Sequence, residues 1–334
     1  MKFLSSASEI DAMQWRLLVQ ESRTATFFQT RECYDFYAAL PFFEPFAFGI
    51  EQNNDLQAVA VGYIEKNGFG FFKNFTKRAI IQGGILLKND AKNDVIGIFL
   101  DEIIKKINKE TIFLEIRNLN DYSQWKPAFE KAKFLYQKHY NIFIETTDVQ
   151  KVMCNLSQSK RRQIKIARQN GSEISQITNI EEITELYYCL KKLYNSKIKT
   201  PLFPVEFFVT LSQKDFGEIF AIKCDGKIIG GIVVVNFIDK AVYEWFVCGC
   251  DREFHRNYPS VLATWAGIDF ALQNGIPKFD FMGAGVPEKP YGVREFKSKF
   301  GGKQVEYGRF YYVFNPFKYK LGKVGVKFLK LLSK

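Results

Sequence analysis

Residues 243–315 read YEWFVCGCDREFHRNYPSVLATWAGIDFALQNGIPKFDFMGAGVPEKPYGVREFKSKFGGKQVEYGRFYYVFN, and this stretch decides the fold. Its pattern predicts a strand, a loop, an amphipathic helix and a second short strand, followed by a loop rich in glycine and proline and a last aromatic strand. Lys297 stands among aromatic residues just before the turn Gly301-Gly302. We expect the rest of the chain to position this lysine at the functional site.

The second half of the chain repeats the plan of the first half. The 334 residues of the chain are more than one core usually supports, so two domains are expected. A hairpin is predicted over 46–65 and another over 218–237, the second turning at Asp225-Gly226. The sequence therefore predicts a mixed α/β fold of two tandem modules, each a mixed, mostly antiparallel sheet flanked by helices.

The predicted boundaries follow from the order of these elements. We expect a first domain over 1–148, which includes a strand over 68–75, and a second domain over 149–316, which ends in a strand over 305–314. A basic amphipathic helix over 317–334 completes the chain. It either lies on an anionic membrane surface or docks on its own protein, and we expect it to pack on the first domain.

The composition limits the class of protein. A net charge of +11 favours anionic partners such as nucleic acid, phosphates or a membrane surface, although a lysine-rich surface also serves solubility alone. The six cysteines form no CxxC pair and the two histidines are far apart, so we expect no metal site and reduced thiols. The longest apolar run, 228–235, is too short to span a bilayer. We expect a cytoplasmic monomer that contacts the membrane at most peripherally.

A hairpin, a strand and then a helix follow one another in the second half, an order that resembles the core of a GNAT acyltransferase. In that fold the loop before the helix holds the pyrophosphate of acyl-CoA on backbone N–H groups and is rich in glycine. Here the loop over 251–260 contains Arg252 and Arg256 but no glycine. Backbone without glycine approaches a pyrophosphate less closely. The order of elements therefore indicates acyl transfer, and the loop argues against ordinary acetyl-CoA.

Several motifs together resemble the FemABX family of peptidoglycan aminoacyltransferases. They are Y-x-W-F from Tyr243, N-Y-P-S-x-L-x-x-W from Asn257, F-D-F-M-G from Phe279 and F-K-x-x-F-G-G from Phe296, with a basic helix over 160–168 before a glycine. The resemblance implies two packed GNAT-like domains, with the tail returning to the first. It also implies an aminoacyl-tRNA donor, no separate cofactor, and an acceptor amine on the stem peptide of a nucleotide- or lipid-linked peptidoglycan precursor.

The resemblance also assigns the catalytic pair. Phe296 and Lys297 match the Phe-Lys pair of the family. Aminolysis of an ester passes through a tetrahedral oxyanion, and a positioned ammonium stabilises that charge by about 3–4 kcal/mol in acyl transfer. The alternative for Lys297 is an ordinary surface lysine. The base for the acceptor amine is not evident; Glu244 and Asp280 lie on predicted strands, where each is either that base or a structural acid.

Two further groups of residues are candidates for substrate binding. Arg161 and Lys165 share one face of the basic helix, where they either contact phosphates or are simply solvated. Tyr243 and Trp245 are expected on one side of their strand, where they line the acceptor cleft or belong to the core. The stretch 202–208 lacks an arginine that family members commonly carry, which weakens the expectation of a nucleotide- or lipid-linked acceptor.

Two other functions remain open from the sequence. The first is a GNAT-like N-acyltransferase that uses acyl-CoA or an acyl-carrier protein on an amino sugar or a cell-envelope saccharide. The second is a non-catalytic module that binds anionic envelope precursors. Replacement of Lys297 distinguishes the binding module from the enzymes, because a binder keeps its ligand affinity and has no activity to lose.

Overall fold

The computed structural model describes residues 1–65, 77–107 and 111–322. The chain forms two compact units, one of Met1–His139 with Tyr307–Lys334 and one of Tyr140–Glu306. The strand predicted over 68–75 and most of the helix predicted over 317–334 lie outside the described residues. Within the described ranges, no helix is both long and apolar enough to cross a membrane.

Each unit combines helices with one sheet. Over residues 1–139 the helices are α1 (Ala12–Glu21), α2 (Arg31–Ala38), α3 (Asn93–Ile107) and α4 (Lys126–Lys131), and the strands are β1 (Lys2–Leu4), β2 (Phe43–Gln52), β3 (Asp55–Glu65), β4 (Arg78–Gly83), β5 (Leu86–Leu87), β6 (Phe113–Asn118) and β7 (Leu135–Gln137). Over 140–306 the strands are β8 (Tyr140–Glu145), β9 (Glu173–Gln176), β10 (Gly217–Cys224), β11 (Lys227–Phe237), β12 (Ala241–Gly249), β13 (Lys278–Gly283) and β14 (Lys303–Glu306). The helices there are α5 (Val149–Asn155), α6 (Gln158–Gln169), α7 (Ile180–Leu193), α8 (Val205–Ser212), α9 (Pro259–Gln273) and α10 (Gly292–Ser298).

The sheet of the second unit has the order β14-β8-β13-β12-β11-β10-β9, and its strands are antiparallel except for β12 beside β13. The hairpin β10–β11 turns at Asp225-Gly226 as predicted, with Cys224 opposite Lys227. The central strand β11 is a nearly continuous apolar run that is buried along most of its length. Such a run suits a strand covered by helices on both faces. One hydrophobic core lies between the sheet and α5, α6 and α9.

The sheet of the first unit repeats this plan. A last strand, β15 (Arg309–Val313), lies between β6 and β7, so the order is β1-β2-β3-β4-β6-β15-β7, with β5 also paired to β3. All pairs are antiparallel except β4 beside β6. Both units therefore contain a hairpin, a third strand, and a parallel partner that follows a helix. The predicted class, a mixed α/β fold with two mostly antiparallel sheets flanked by helices, is confirmed.

The structure divides the chain at other positions than the sequence analysis did. Strand β8 precedes the predicted boundary at 148/149, yet it pairs with β13 and β14 in the second sheet. The single strand predicted over 305–314 is two strands in different sheets, because the chain turns at Gly308, whose φ is +65°. In the first unit, Phe310 stacks on Phe129 with ring centroids 3.9 Å apart. Non-local pairing of this kind leaves no local signal in the sequence.

The turn after α10 depends on Gly301. Its φ is +84°, and a Cβ at this position would lie 2.3 Å from the carbonyl oxygen of Asn155. Gly171 provides a comparison, because it ends α6 with φ +75° as predicted and has open space around it. Both glycines take a backbone conformation that favours glycine, but only Gly301 is also crowded.

We expect Gly171→Ala to lower the free energy of unfolding by about 1–2 kcal/mol, the cost of a left-handed conformation for a residue with a Cβ. Gly301→Ala should cost a further ~1–3 kcal/mol, because the added methyl group overlaps backbone that cannot move freely. Urea unfolding of both variants measures the difference. Equal losses would mean that the approach of Asn155 is easily relieved.

Candidate active site

Strands β12 and β13 run side by side only briefly. Their parallel pairing is limited to Val242 with Phe279 and Tyr243 with Asp280, although both strands continue beyond these pairs. On β12, Trp245 is an extra residue, since Glu244 and Phe246 face consecutive residues of β11. On β13 the register with β8 also shifts after Asp280. Such irregularities bend a strand and increase its twist, so the two strands separate just after their last shared pair.

Asp280 stabilises the bend in β13. It is fully buried, and its Oδ1 accepts a hydrogen bond of 2.7 Å from the backbone N–H of Met282, whose φ is +58°. Lys278 Nζ lies 3.4 Å from its other oxygen. Burial raises the pKa of Asp280, and the charge of Lys278 opposes that change. Of the two roles open to Asp280, these contacts favour the structural one.

Lys297 lies where the strands separate. Its Nζ donates to the carbonyl oxygens of Phe281 at 2.6 Å and Gly283 at 3.2 Å, and it lies 3.2 Å from Oε1 of Glu244. The side chain is 9 % exposed, so Lys297 is not an ordinary surface lysine. Its ammonium has three N–H groups and three oxygen acceptors. It therefore holds α10 to both strands.

Glu244 is the acidic partner of this ammonium. Burial raises its pKa, and the charge of Lys297 and the hydrogen bond from it act in the opposite direction. Its Oε1 faces Lys297, whereas its Oε2 is buried and has no hydrogen-bond partner in the described part of the chain. A buried carboxylate with one unsatisfied oxygen is costly unless it is paired. Glu244 Oε2 is thus a buried oxygen beside the candidate catalytic lysine that can still accept a hydrogen bond.

Phe296 points to a different lysine. Lys160 of α6 places its Nζ 3.7 Å from the centre of the Phe296 ring and 4.8 Å from that of Phe300. Lys160 is only 4 % exposed. Lys160 was not among the predicted site residues, although the sequence carries the signal: Lys160 shares the spacing of Ile164 and Ala167, which form the buried face of α6.

The loop before α9 is closed by Asp251. Its Oδ1 accepts a hydrogen bond of 3.2 Å from the backbone N–H of Ser260, and its Oδ2 accepts one from the Ser260 hydroxyl. Arg252 and Arg256 are exposed in this loop. A carboxylate of the chain therefore occupies the N-terminus of α9, the place where a helix of this kind commonly binds an anion.

The basic helix is only partly available for binding. The guanidinium of Arg161 donates to the carbonyl oxygens of Met153, Cys154 and Leu156, which lie at the end of α5. This satisfies carbonyls that a helix end leaves without partners. Lys165 is exposed on the same helix. Arg161 thus has a structural task, and Lys165 remains a candidate for contact with phosphates.

The two aromatic candidates of β12 have different surroundings. Tyr243 is buried, and Lys278 Nζ lies 5.8 Å from its ring centre. Trp245 is partly exposed and packs edge-on against Phe207 of α8, with centroids 4.9 Å apart. Of the predicted residues, the structure places Phe296 and Lys297 on α10 and pairs Lys297 with Glu244, while Lys160 and Asp251 were not predicted. Within the described ranges no three acidic, His or Cys residues are placed to hold a metal ion.

Comparison with known proteins identifies the fold of this site. Residues 156–298 match the family model described as "Acetyltransferase (GNAT) domain". The separating strands β12 and β13 and the helix α9 lie within this match. No curated protein sequence matches the chain significantly.

Solved structures extend the likeness to almost the whole chain. The crystal structure of FemX is similar with a TM-score of 0.70 at 12% identity, covering 96% of this chain and 99% of FemX. A tandem GNAT protein from the clavulanic acid biosynthesis pathway has a TM-score of 0.58 at 9% identity, covering 94% and 99%. L-PGS from Bacillus licheniformis has a TM-score of 0.56 at 11% identity, covering 95% and 96%. At these identities the likeness shows the fold, and the predicted tandem GNAT-like architecture is confirmed.

We expect Lys297→Met to lower the free energy of unfolding by about 3–5 kcal/mol near neutral pH, because Glu244 stays buried without its partner. The loss should shrink as the pH is lowered toward 4.5, the ordinary pKa of the carboxyl. Folding raises the pKa of the Glu244 carboxyl above its ordinary value of 4.5, so the folded protein binds this proton more tightly than the unfolded chain. The free energy of unfolding therefore falls as the pH rises and the carboxyl loses its proton. The double variant Lys297→Met with Glu244→Gln should regain part of the loss and remove this pH dependence. Urea unfolding at several pH values measures both. An identical loss at all pH values would contradict the pairing.

Proposed function

We propose that this protein is an aminoacyltransferase of the FemABX type. It transfers an amino acid from aminoacyl-tRNA to an amino group of the stem peptide of a peptidoglycan precursor, without a separate cofactor. In this proposal it acts as a cytoplasmic monomer and contacts the inner face of the membrane only peripherally.

The placement of Lys297 supports amide formation from an activated ester. A tetrahedral intermediate formed beside the separating strands needs a positive group at its oxyanion. The Lys297 ammonium is fixed there by Glu244 and the carbonyl oxygens of Phe281 and Gly283. In the transition state, one N–H group of Lys297 donates to the oxyanion in place of a carbonyl oxygen. The oxyanion is the stronger acceptor, so Lys297 stabilises the transition state more than the resting enzyme, and this difference is what accelerates the reaction. An ester donor is already activated and needs no nucleophilic triad.

The observation that carries the choice of donor is the carboxylate of Asp251 at the N-terminus of α9. The pyrophosphate of acyl-CoA would need the N–H groups at this position, and Asp251 already accepts from Ser260 there. A second anion beside this carboxylate would be repelled. The loop also offers no glycine for close approach. Both features favour a donor that does not bind through a pyrophosphate.

Charge and fold support the nature of the partners. The net charge of +11 suits an RNA-linked donor, since phosphate contacts dominate the affinity of nucleic acids. The fold is that of FemX. Another solved structure with this fold, at a TM-score of 0.56, is the C-terminal domain of a putative lysylphosphatidylglycerol synthetase from Agrobacterium fabrum, whose name joins a lysyl group to phosphatidylglycerol. The family resemblance of the sequence motifs supports the stem-peptide amine as acceptor.

A donor screen tests the proposal. Purified protein is incubated with a peptidoglycan precursor that has a free stem-peptide amine, together with charged tRNA or acyl-CoA, and the product is read by its mass. We expect transfer from charged tRNA only. The double variant Lys297→Met with Glu244→Gln should lower the rate by about 10²–10³-fold, because the oxyanion loses its donor while no buried charge is left unpaired.

Lys303→Met is the matched control, because Lys303 is exposed on β14 and should leave the rate unchanged. Transfer from acyl-CoA alone would instead favour the N-acyltransferase function, with Arg252 or Arg256 binding the donor. Full activity in the folded double variant would exclude the assigned role of Lys297.

A further inference from the structure

The two buried lysines of the second unit differ in their surroundings. Lys297 has an oxygen atom for each of its N–H groups. Lys160 is equally buried, yet within the described residues its amine has no carbonyl or carboxylate partner and instead faces the rings of Phe296 and Phe300. Aromatic faces attract an ammonium less than a paired carboxylate does. Lys160 is therefore a largely buried residue whose amine donates to no oxygen of the described residues.

The charges around Lys160 favour a readily lost proton. Burial is the main cause that lowers the pKa of Lys160, the positive charge of Lys299 adds to it, and the charge of Asp251 acts in the opposite direction, so that the pKa falls to about 8. Lys299 follows α10, and the Asp251 carboxylate is already bonded to Ser260. These are the titratable groups that act on the amine from the elements around it. Near neutral pH, Lys160 can thus both donate and accept a proton.

The position of Lys160 connects it to the candidate catalytic lysine. Phe296, which contacts its amine, is the residue directly before Lys297 and is partly exposed. The amine of Lys160 therefore lies against the residue that precedes the candidate catalytic lysine. Lys297 cannot accept a proton while its N–H groups are bound to three oxygens, and Glu244 Oε1 is committed to it. Among the described residues, the Lys160 amine has no such oxygen partner and lies against Phe296, and Glu244 Oε2 is another basic atom there that accepts no hydrogen bond.

We propose that Lys160 is the proton-transfer residue of this site, taking a proton from the attacking acceptor amine and returning it to the leaving alcohol. This inference rests on the proposed function, in which an ester is aminolysed beside Lys297. Lys297 stabilises charge, and Lys160 moves the proton.

The step balances without another reactant. The lone pair of the neutral acceptor amine forms a C–N bond to the ester carbon, and the carbonyl electrons move to the oxygen as an oxyanion. The nitrogen, now positively charged, gives one proton to the neutral Lys160 amine. The oxyanion re-forms the carbonyl, the C–O bond to the donor breaks, and Lys160 returns the proton to the leaving oxygen. The products are an amide and an alcohol, and Lys160 is neutral again.

The pH profile of single-turnover transfer tests this role. The rate of the wild type should rise with pH through about 8, as Lys160 becomes neutral. Lys160→Met keeps the apolar contacts with both rings. Its rate should be about 10²–10⁴-fold lower, and the rise of the rate with pH that reports Lys160 should be absent. Lys160→Arg keeps a positive charge but accepts no proton, so it should stay as slow as Lys160→Met. Arg162→Met, at an exposed position of the same helix, is the control and should match the wild type.

Two additional measurements keep the test independent of folding. Added small primary amines should restore transfer to Lys160→Ala, with a rate that follows the basicity of the amine. NMR titration of the wild type measures the pKa of Lys160 directly. Recovery by Lys160→Arg, an unchanged profile in Lys160→Met, or titration of Lys160 at the ordinary 10.5 would overturn the proposal while wild-type transfer continued. Silence of the wild type with every ester donor would instead overturn the proposed function itself.

Discussion

The site depends on a mismatch between two neighbouring strands. Parallel strands normally satisfy each other's backbone groups along their length, but β12 and β13 share only two residue pairs before bulges bend them apart. The carbonyl oxygens of Phe281 and Gly283 then need a donor in a largely buried place. Lys297 supplies it, so the lysine is required by the architecture before any chemistry is considered.

The surrounding elements follow from the need to hold this ammonium. α10 must approach both strands, and the chain must then turn sharply to pass Asn155, which Gly301 allows. The backbone of Ser157, at the start of α6, donates to the carbonyl oxygen of Lys299 at the end of α10. This contact fixes the first turn of α6 against Phe296 and Phe300, and Lys160 is in that turn. The two lysines thus belong to one packed group of residues, although Lys297 is paired with a carboxylate and Lys160 faces aromatic rings.

Local signals in the sequence were sufficient for much of this arrangement. Asp225-Gly226 predicts its hairpin because the turn needs residues that tolerate positive φ, and Gly171 ends its helix for the same reason. Lys297 could be selected because motifs of a known family surround it. The assignment of 305–314 to one strand failed because the pattern of alternation does not reveal which sheet a strand joins. Lys160 was overlooked because lysine is expected at the surface, and only its spacing with Ile164 shows the contrary. The cap by Asp251 depends on a loop conformation that no short motif encodes.

The Asp251 cap also changes how the helix N-terminus responds to its environment. The carboxylate belongs to the same chain as Ser260, so it is present at an effective concentration on the order of millimolar even when no free anion surrounds the protein. Every phosphate compound in solution must compete with this tethered ligand, whatever its identity. The strength of this competition is therefore set by the covalent connection of the loop rather than by the supply of any metabolite.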